Sequence, residues 1–499
     1  MANIVSGFNL VLLFIFSLCY LYQAVYVIFV LVKDIREKRK PLEPEGPLNR
    51  YAVLISGRNE ELVIGELVKS LKNQEYPEEL LDIYVIADNC TDNTAKVARE
   101  AGARVFERND QVKKGKSHAL HYAITNIIKE LGDENGRTPY TGYFVFDADN
   151  VVDSRFVAAM NRGWNRGYKV LTSYRNSKNY ESNWVSAGSA LWFLREAKFL
   201  SNARYLMNSS CAISGTGFMI GADIIEKRNK GWIHHLLTED IEFSTDCISS
   251  GIRIGYVHEA HVYDEQPTTM SDSWKQRLRW AKGFYQVLLR YGKRLSRGIG
   301  KQKGGRWACF DMTMTIAPAM LLVLASVSIN IVFCLIGVVQ LTCMAVDVQG
   351  VAASTGGVIT GDNPFSDALG LMTGSVFQGD TLNQFNTSHV STVIGYAEAR
   401  ATIITSVFSF LGSFGSFAGI MFVFGLITTI TEWRHIHTTP AKKIKYIFTF
   451  PFFMLTYVPI ALVAIFKKVE WVPIKHNIVR TAEEVVAGGS GVKPGPPRQ

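Results

Sequence analysis

Residues Tyr143–Asn150 read YFVFDADN. A short aromatic and aliphatic run of this kind, stopped abruptly by polar residues, is the pattern of a strand buried on both faces. Asp147 and Asp149 close it, two positions apart. On extended backbone, residues two apart face the same way, so both carboxylates can point at one cation. Hard cations such as Mg²⁺ take one or two carboxylates and fill the remaining positions with substrate phosphate oxygens. An Asp-rich turn with no ligand is the plain alternative, and the neighbouring sequence has to decide between the two.

Upstream, YAVLISGRNE (Tyr51–Glu60) is a second apolar strand ending in a polar turn, followed by a helical stretch over 61–72. A strand over 82–87 runs into DNCTDNTA, where Asp88 and Asp92 bracket a turn and Asn93 or Thr94 caps the next helix. A third strand covers 103–107, and a helix over 116–131 leads back to Tyr143. Strands alternating with helices make a doubly wound, mostly parallel α/β sheet, and such sheets bind ligands beyond the carboxyl ends of their strands. Asp88, Asp147 and Asp149 all fall at such ends and converge on one rim.

Three further clusters lie on this block. Lys116, in KKGKSHAL, opens a helix after a glycine, where a lysine and free backbone amides meet a diphosphate, or where a lysine is merely solvated. Thr238-Glu239-Asp240, in LTEDIEFS, reads equally as a capping box with acids suited to the helix dipole, or as a carboxylate placed to take a proton from a hydroxyl. Ser214-Gly215-Thr216-Gly217-Phe218 allows close backbone approach and offers an aromatic surface to a sugar or nucleotide; a tight turn would explain it as well.

The 499-residue chain is 47% apolar, and the apolar residues are concentrated. Runs of membrane-spanning length cover 8–32, 310–346, 402–430 and 446–466, leaving a block of ordinary globular composition between the first and second. Lys33, Arg36, Lys38, Arg39 and Lys40 follow the first run, which places the block in the cytoplasm by the positive-inside rule. The stretch 346–399 carries Asp347, Asp362, Asp367, Asp380 and Glu398 but no Lys or Arg, as expected of an outer loop. Four single crossings would leave Lys467, Lys468 and Lys475 outside. The expectation is therefore a cytoplasmic C-terminus, with either a hairpin over 310–346 or an incomplete crossing over 446–466. Seven scattered cysteines without CxxC spacing indicate neither a zinc site nor a disulfide framework. The net charge of +9 sits beside the apolar runs, which assigns it to topology and anionic lipid and not to nucleic acid.

SWKQRLRWAKGFYQV (Ser273–Val287) follows the globular block. Trp274, Leu278, Ala281, Tyr285 and Leu288 share one helical face, and 273–310 holds eleven Lys and Arg with no carboxylate. This is an amphipathic helix at a membrane interface.

DNCTD with Asp88, then DAD, TED and QRLRW, in that order between apolar runs, resembles the family 2 processive glycosyltransferases, the membrane-embedded cellulose, hyaluronan and chitin-type synthases. The resemblance covers roughly residues 50–291 and the flanking runs. It implies a GT-A domain inserted between transmembrane helices. The chain then divides into an N-terminal span and basic flank (1–40), the GT-A domain (41–272), interface helices (273–309) and a transmembrane segment (310–346). An extracytoplasmic loop (347–400), transmembrane or interfacial helices (401–470) and a tail (471–499) follow.

By the same resemblance, Asp88 contacts the uracil of a UDP-sugar and Lys116 the phosphates, while Asp147 and Asp149 hold the nucleotide and Mg²⁺ or Mn²⁺. Asp240, beside Glu239, is the general base. Gln276, Arg279 and Trp280 match QxxRW, gripping the diphosphate and stacking near the acceptor sugar, with Gly215, Thr216 and Phe218 on the acceptor side. The implied reaction is one inverting displacement that polymerises a UDP-hexose, UDP-glucose first, into a β-linked extracellular or capsular polysaccharide passed across the plasma membrane. UDP-N-acetylglucosamine, a hyaluronan-type polymer, and single transfer to a lipid phosphate are the alternatives, and a domain that only binds is a third class. Two departures stand out: SGTGF replaces the FFCGS-like segment of cellulose-type enzymes, and no PilZ-like domain follows the spans. EWVPIKH (Glu470–His476) reads as a cap near the nucleotide site, with His476 a surface histidine.

Overall fold

The computed structural model describes residues 1–36, 46–228, 231–301, 305–355, 390–470 and 472–487. Lys38, Arg39, Lys40, most of the expected outer loop and the last dozen residues lie outside the described residues. The chain forms two units, Met1–Cys19 with Ala319–Ala418, and Tyr20–Pro318 with Gly419–Gln499.

The larger unit contains an eight-stranded sheet. Its strands are β1 (Tyr51–Gly57), β2 (Leu81–Asp88), β3 (Arg104–Arg108), β4 (Gly142–Asp147), β5 (Val151–Val152), β6 (Val170–Ser177), β7 (Phe218–Gly221) and β8 (Ile254–Asp264), in the order β3-β2-β1-β4-β7-β6-β8-β5. The β3-β2-β1-β4 half is parallel, as the alternation of strands and helices requires. β6 and β8 also run parallel, while β7 inserts antiparallel between β4 and β6, and β5 pairs antiparallel with β8, so the sheet is mixed. The β1 and β4 runs read as uninterrupted apolar sequence because their side chains are buried on both faces. Tyr51, Val53, Ile55, Phe144 and Phe146 are all fully buried.

The helices are α1 (Ala2–Arg36), α2 (Ile64–Lys72), α3 (Thr94–Glu100), α4 (Lys116–Leu131), α5 (Phe156–Asn165), α6 (Trp184–Arg195), α7 (Asn202–Leu206), α8 (Glu239–Ser249), α9 (Met270–Lys301), α10 (Arg306–Ile316), α11 (Pro318–Thr355), α12 (Val390–Thr431), α13 (Pro440–Leu455), α14 (Tyr457–Phe466) and α15 (Ala482–Val486). A π-helical turn, Glu196–Ser201, joins α6 to α7.

Among the described residues, four segments are long and apolar enough to cross a membrane: Ala2–Arg36, Leu324–Cys343, Glu398–Thr431 and Pro440–Phe466. Over 310–346 the helix is interrupted at Ala317, ahead of Pro318, and α11 runs on from there as one helix. Within the smaller unit, Asn9 and Asn330 exchange amide hydrogen bonds at 2.9 and 3.1 Å, and a Cβ on Gly337 would stand 2.7 Å from Ile403. Small residues and paired amides are what apolar helices use to pack in lipid.

In the larger unit, α13 and α14 bend at Thr456 and lie along the domain. Phe453 fills the space over Gly188, where a Cβ would approach its ring to 2.4 Å, and Tyr285 donates from its hydroxyl to Ala461 O at 3.2 Å. Arg277, fully buried in α9, donates to Thr456 Oγ1 at 2.5 Å and stacks over Phe453 and Tyr457. Leu278 and Ala281, which the sequence placed on a stripe at a membrane interface, are buried in the protein beside Arg277.

A buried ion pair ties α7 to α10. Arg204 donates to Asp311 through Nε at 2.7 Å and Nη2 at 2.8 Å, and Tyr22 and Tyr26 of α1 donate their hydroxyls to the same carboxylate. Removing one partner of a buried pair leaves an uncompensated charge. Asp311→Ala is therefore expected to destabilise the protein by about 3–5 kcal/mol, read as a large fall in the thermal unfolding midpoint in detergent; a midpoint within a degree of wild type would contradict the role of the pair.

Candidate active site

The rim at the C-terminal ends of the parallel strands is built from two welded turns and one lysine. Asn59 and Asn89, both in the left-handed region at φ 59° and 54°, turn the chain sharply after β1 and β2. Thr91 N donates to Asn59 Oδ1 at 2.8 Å, and Glu61 N to Asp92 Oδ2 at 3.1 Å, so the two turns hold each other. Asp92, not Asn93 or Thr94, caps α3, accepting from Thr94 N at 3.0 Å.

Asp88 is 3% exposed and engaged on both oxygens. Its Oδ1 accepts from Arg108 and from Asn89 Nδ2, and its Oδ2 from Gly115 N at 3.2 Å. Its observed work is internal: it fixes Gly115, whose φ of 103° turns the chain into α4 at Lys116.

Lys116 is the junction of the site. Its Nζ donates to Asp147 Oδ1 at 2.5 Å and to Gly215 O at 2.8 Å, and stands 4.0 Å from Glu239 Oε1. One buried amine thus gathers the end of β4, the SGTGF turn and the start of α8. Burial disfavours its charge, but Asp147 and Glu239 outweigh that and raise its pKa.

Gly215 needs its positive φ of 80°, and a Cβ there would come to 3.2 Å from Arg175 Nη1. Thr216 and Phe218 are each 1% exposed. Thr216 Oγ1 bonds Asn150 and accepts from Asp147 N at 2.9 Å, and the Phe218 ring lies beneath Lys116. Both side chains are buried and form the floor beneath Lys116, whereas the sequence placed them on the acceptor side.

The capping-box reading of TED also fails. Thr238 makes no side-chain cap, and its buried Oγ1 has no hydrogen-bond partner among the described residues. The first turn of α8 is instead tied down by Glu242, which accepts from Leu236 N at 2.9 Å. Glu239 and Asp240 are left for other work. Burial pushes Glu239 up to about 7, opposed by Lys116 and reinforced by Asp240. Burial likewise raises Asp240, while Lys116, Arg279 and Arg175 pull it down. Two adjacent carboxyls sharing a buried site hold a proton to near neutrality.

Of the QxxRW residues, Arg279 reaches Leu237 O at 3.5 Å and acts electrostatically on both acids, while Trp280 meets Phe193 edge-on at 5.8 Å. Gln276 Oε1 is buried with no partner among the described residues.

The sequence reading missed three contributors. Arg175 donates from Nε to Asp264 at 2.7 Å and from Nη1 to Ser214 O at 2.7 Å, behind the SGTGF turn. Glu60 accepts from His476 Nδ1 at 3.0 Å, and His476 Nε2 lies 4.0 Å from Asp149 Oδ2. His476 is therefore no surface histidine; burial lowers its pKa, but Asp149, Glu60 and Glu265 together push it up to about 10. The segment carrying it is strapped down by Asn477 N and Ile478 N on the Glu265 carboxylate, and by Arg480, which pairs with Glu181 and donates to Lys178 O. The signal in sequence was the EWVPIKH cluster itself, polar and aromatic directly after an apolar run.

With the site described, its relatives are informative. A family profile described as "Glycosyltransferase like family 2" matches residues 48–283. A probable glycosyltransferase, YdaM, of Bacillus subtilis is 29% identical over 256 residues, 49% of this chain and 57% of that protein. A beta-monoglucosyldiacylglycerol synthase of a Nostoc species is 28% identical over 57% of this chain and 59% of its own length. A poly-beta-1,6-N-acetyl-D-glucosamine synthase of Staphylococcus epidermidis is 24% identical over 55% of this chain and 64% of its length. The matches thus span less than two thirds of these curated relatives.

If Thr238 were a working cap, its loss would cost about 1 kcal/mol. Because its hydroxyl is buried and unpartnered, Thr238→Val is expected to be neutral or stabilising by up to about 1 kcal/mol, measured by chemical denaturation; a loss of the full cap value would restore the capping reading.

Proposed function

We propose that residues 48–283, which match the family 2 glycosyltransferase profile, form a GT-A domain that moves a hexose from a UDP-sugar onto an acceptor hydroxyl at a membrane, inverting the anomeric carbon. The observation that carries this reading is the convergence of DxD, SGTGF and TED on Lys116. Asp240, or the Glu239–Asp240 pair acting together, takes the proton of the attacking hydroxyl. Lys116 and Arg279 meet the diphosphate as charge develops on it, and Trp280 lines the acceptor side. No covalent intermediate is required, so no activated Ser or Cys is needed.

Asp147 and Asp149 would hold a divalent cation, Mg²⁺ or Mn²⁺, with the cationic His476 standing beside Asp149 as a counter-charge and not as a ligand. Asp147 keeps one carboxylate oxygen outside its contact with Lys116. A hard cation held by these two carboxylates would fill its remaining positions with substrate phosphate oxygens. Bound there, the ion neutralises the departing diphosphate.

Processive polymerisation from UDP-glucose is the first reading of the product, on the strength of Gln276, Arg279 and Trp280; UDP-N-acetylglucosamine is the alternative donor. A second reading, one sugar placed on a lipid hydroxyl, is favoured by the name of the Nostoc relative and by the apolar ring of Phe193 set edge-on to Trp280. In the membrane we place α1, α11 and α12 as crossing helices. Lys442 and Tyr446 reach Glu181 O before the bend and Arg480 reaches Glu181 after it, which supports keeping α13, α14 and the tail on the domain's side.

Incubating the purified protein with labelled UDP-glucose or UDP-N-acetylglucosamine and Mn²⁺ is expected to give a polymer retained on a gel. Product extracted wholly into organic solvent as a single-sugar lipid would replace the processive reading, and hydrolysis with no transfer would end both. Asp240→Asn is expected to reduce kcat by about 10²–10⁴-fold. Because the acids must be ionised to accept a proton, wild-type kcat/KM should rise with pH through about 7; a profile flat from pH 5 to 9 would remove the pair as base.

A further inference from the structure

The helical row from the end of α6 through α7 buries three cations, and they are not equivalent. Lys198 is paired with Asp34 at 2.7 Å and with Glu432 at 3.5 Å. Arg204 is held bidentate by Asp311. Arg195, 6% exposed, has no carboxylate within ion-pair distance among the described residues; the adjacent Glu196 acts on it only electrostatically and is shared with Arg175 and Arg204. Its one hydrogen bond there runs from Nη2 to Gln23 Oε1 of α1 at 2.9 Å, and its Nε is buried without a partner. The guanidinium is packed between the rings of Trp192 and Phe424, 4.8 and 4.9 Å from their centroids.

An unpaired charge kept out of water is costly, and removing an anion from such a cation is costlier than never burying it. Arg277, equally buried, is a useful contrast: it spends its donors on Ser273 O, Phe453 O and Thr456 Oγ1. Arg195 has donors unspent. Gln23 accepts with its carbonyl oxygen, and its amide has only a 3.5 Å contact to Tyr22, so that N–H₂ group remains for a second acceptor oxygen. Arg195 is also the last residue before the π-helical turn Glu196–Ser201, and π-turns concentrate at functional sites.

The location defines the ligand. Gln23 and Phe424 belong to α1 and α12, two of the helices long and apolar enough to cross a bilayer, and Trp192, Tyr22, Tyr26 and Trp307 group nearby as interfacial aromatics do. A planar guanidinium beside an amide donor matches two oxygens of a phosphate. We propose that Arg195 and Gln23 form a binding site for the phosphate group of a membrane-lipid headgroup, separate from the sugar-transfer centre. The site fixes a lipid where α6 meets α1 and α12.

The test uses the full chain, delipidated in a phosphate-free maltoside detergent and followed by native mass spectrometry. Short-chain phosphatidylglycerol is titrated in one arm, a phosphate-free glycolipid of the same chains in a second, and inorganic phosphate in a third. Wild type is expected to bind one phosphatidylglycerol in preference to the glycolipid, and Arg195→Gln to bind it at least about tenfold more weakly. Gln23→Ala, which retains the charge, is expected to weaken binding by a smaller factor and keeps the test open if Arg195→Gln does not fold. Equal affinity in wild type and both variants would overturn the proposal. Saturation by millimolar inorganic phosphate that leaves no preference for the lipid would also overturn it, in favour of a soluble anion.

Discussion

The site depends on one buried amine. Lys116 Nζ touches Asp147 and the carbonyl of Gly215 and faces Glu239, three groups separated by long stretches of chain. Several otherwise unremarkable features serve to place it. Asp88 is spent on holding Gly115, and Gly115 takes a backbone conformation that L residues avoid, so that α4 begins with Lys116 aimed across the strand ends. Around it the charges alternate. Two cations, Arg175 and Arg279, stand opposite the acids of TED, and His476 opposite Asp149. This alternation lets so many ionisable groups share a water-poor rim, since each buried charge has a neighbour of opposite sign.

Much of this was legible in the sequence, for a physical reason. Strands buried on both faces are written as uninterrupted apolar runs, so β1 and β4 announced themselves and their acidic ends followed. The antiparallel insertion of β7 was not legible, because four residues of FMIG carry no directional signal and its place between β4 and β6 is set by long-range pairing. TED was found with two readings left open, of which the cap does not form. A capping box and a catalytic acid pair use the same residue types, and only the geometry separates them; here Glu242 takes over the turn and Thr238 is left unpartnered.

His476 shows the opposite limit. It is more than 300 positions from Asp149 in the chain, and the spans between them conceal the link. What brings it back is a set of contacts no local pattern encodes: Glu265 on two backbone amides, Arg480 on Glu181, and Ala482 and Val485 packed on Val151 and Tyr263. SGTGF lay between these cases. Gly215 and Gly217 take positive φ with little room for a Cβ, whereas Thr216 and Phe218 lie buried as the floor beneath Lys116.

The account makes the reaction a single displacement, with an acid pair on one side of the sugar and cations on its diphosphate. That commits it to a stereochemical result independent of donor, acceptor or chain length. Proton NMR of the glycosidic linkage formed from an α-linked UDP-hexose measures it directly. The account predicts a β-linkage; an α-linkage would contradict the assignment of Asp240 as base in a single displacement.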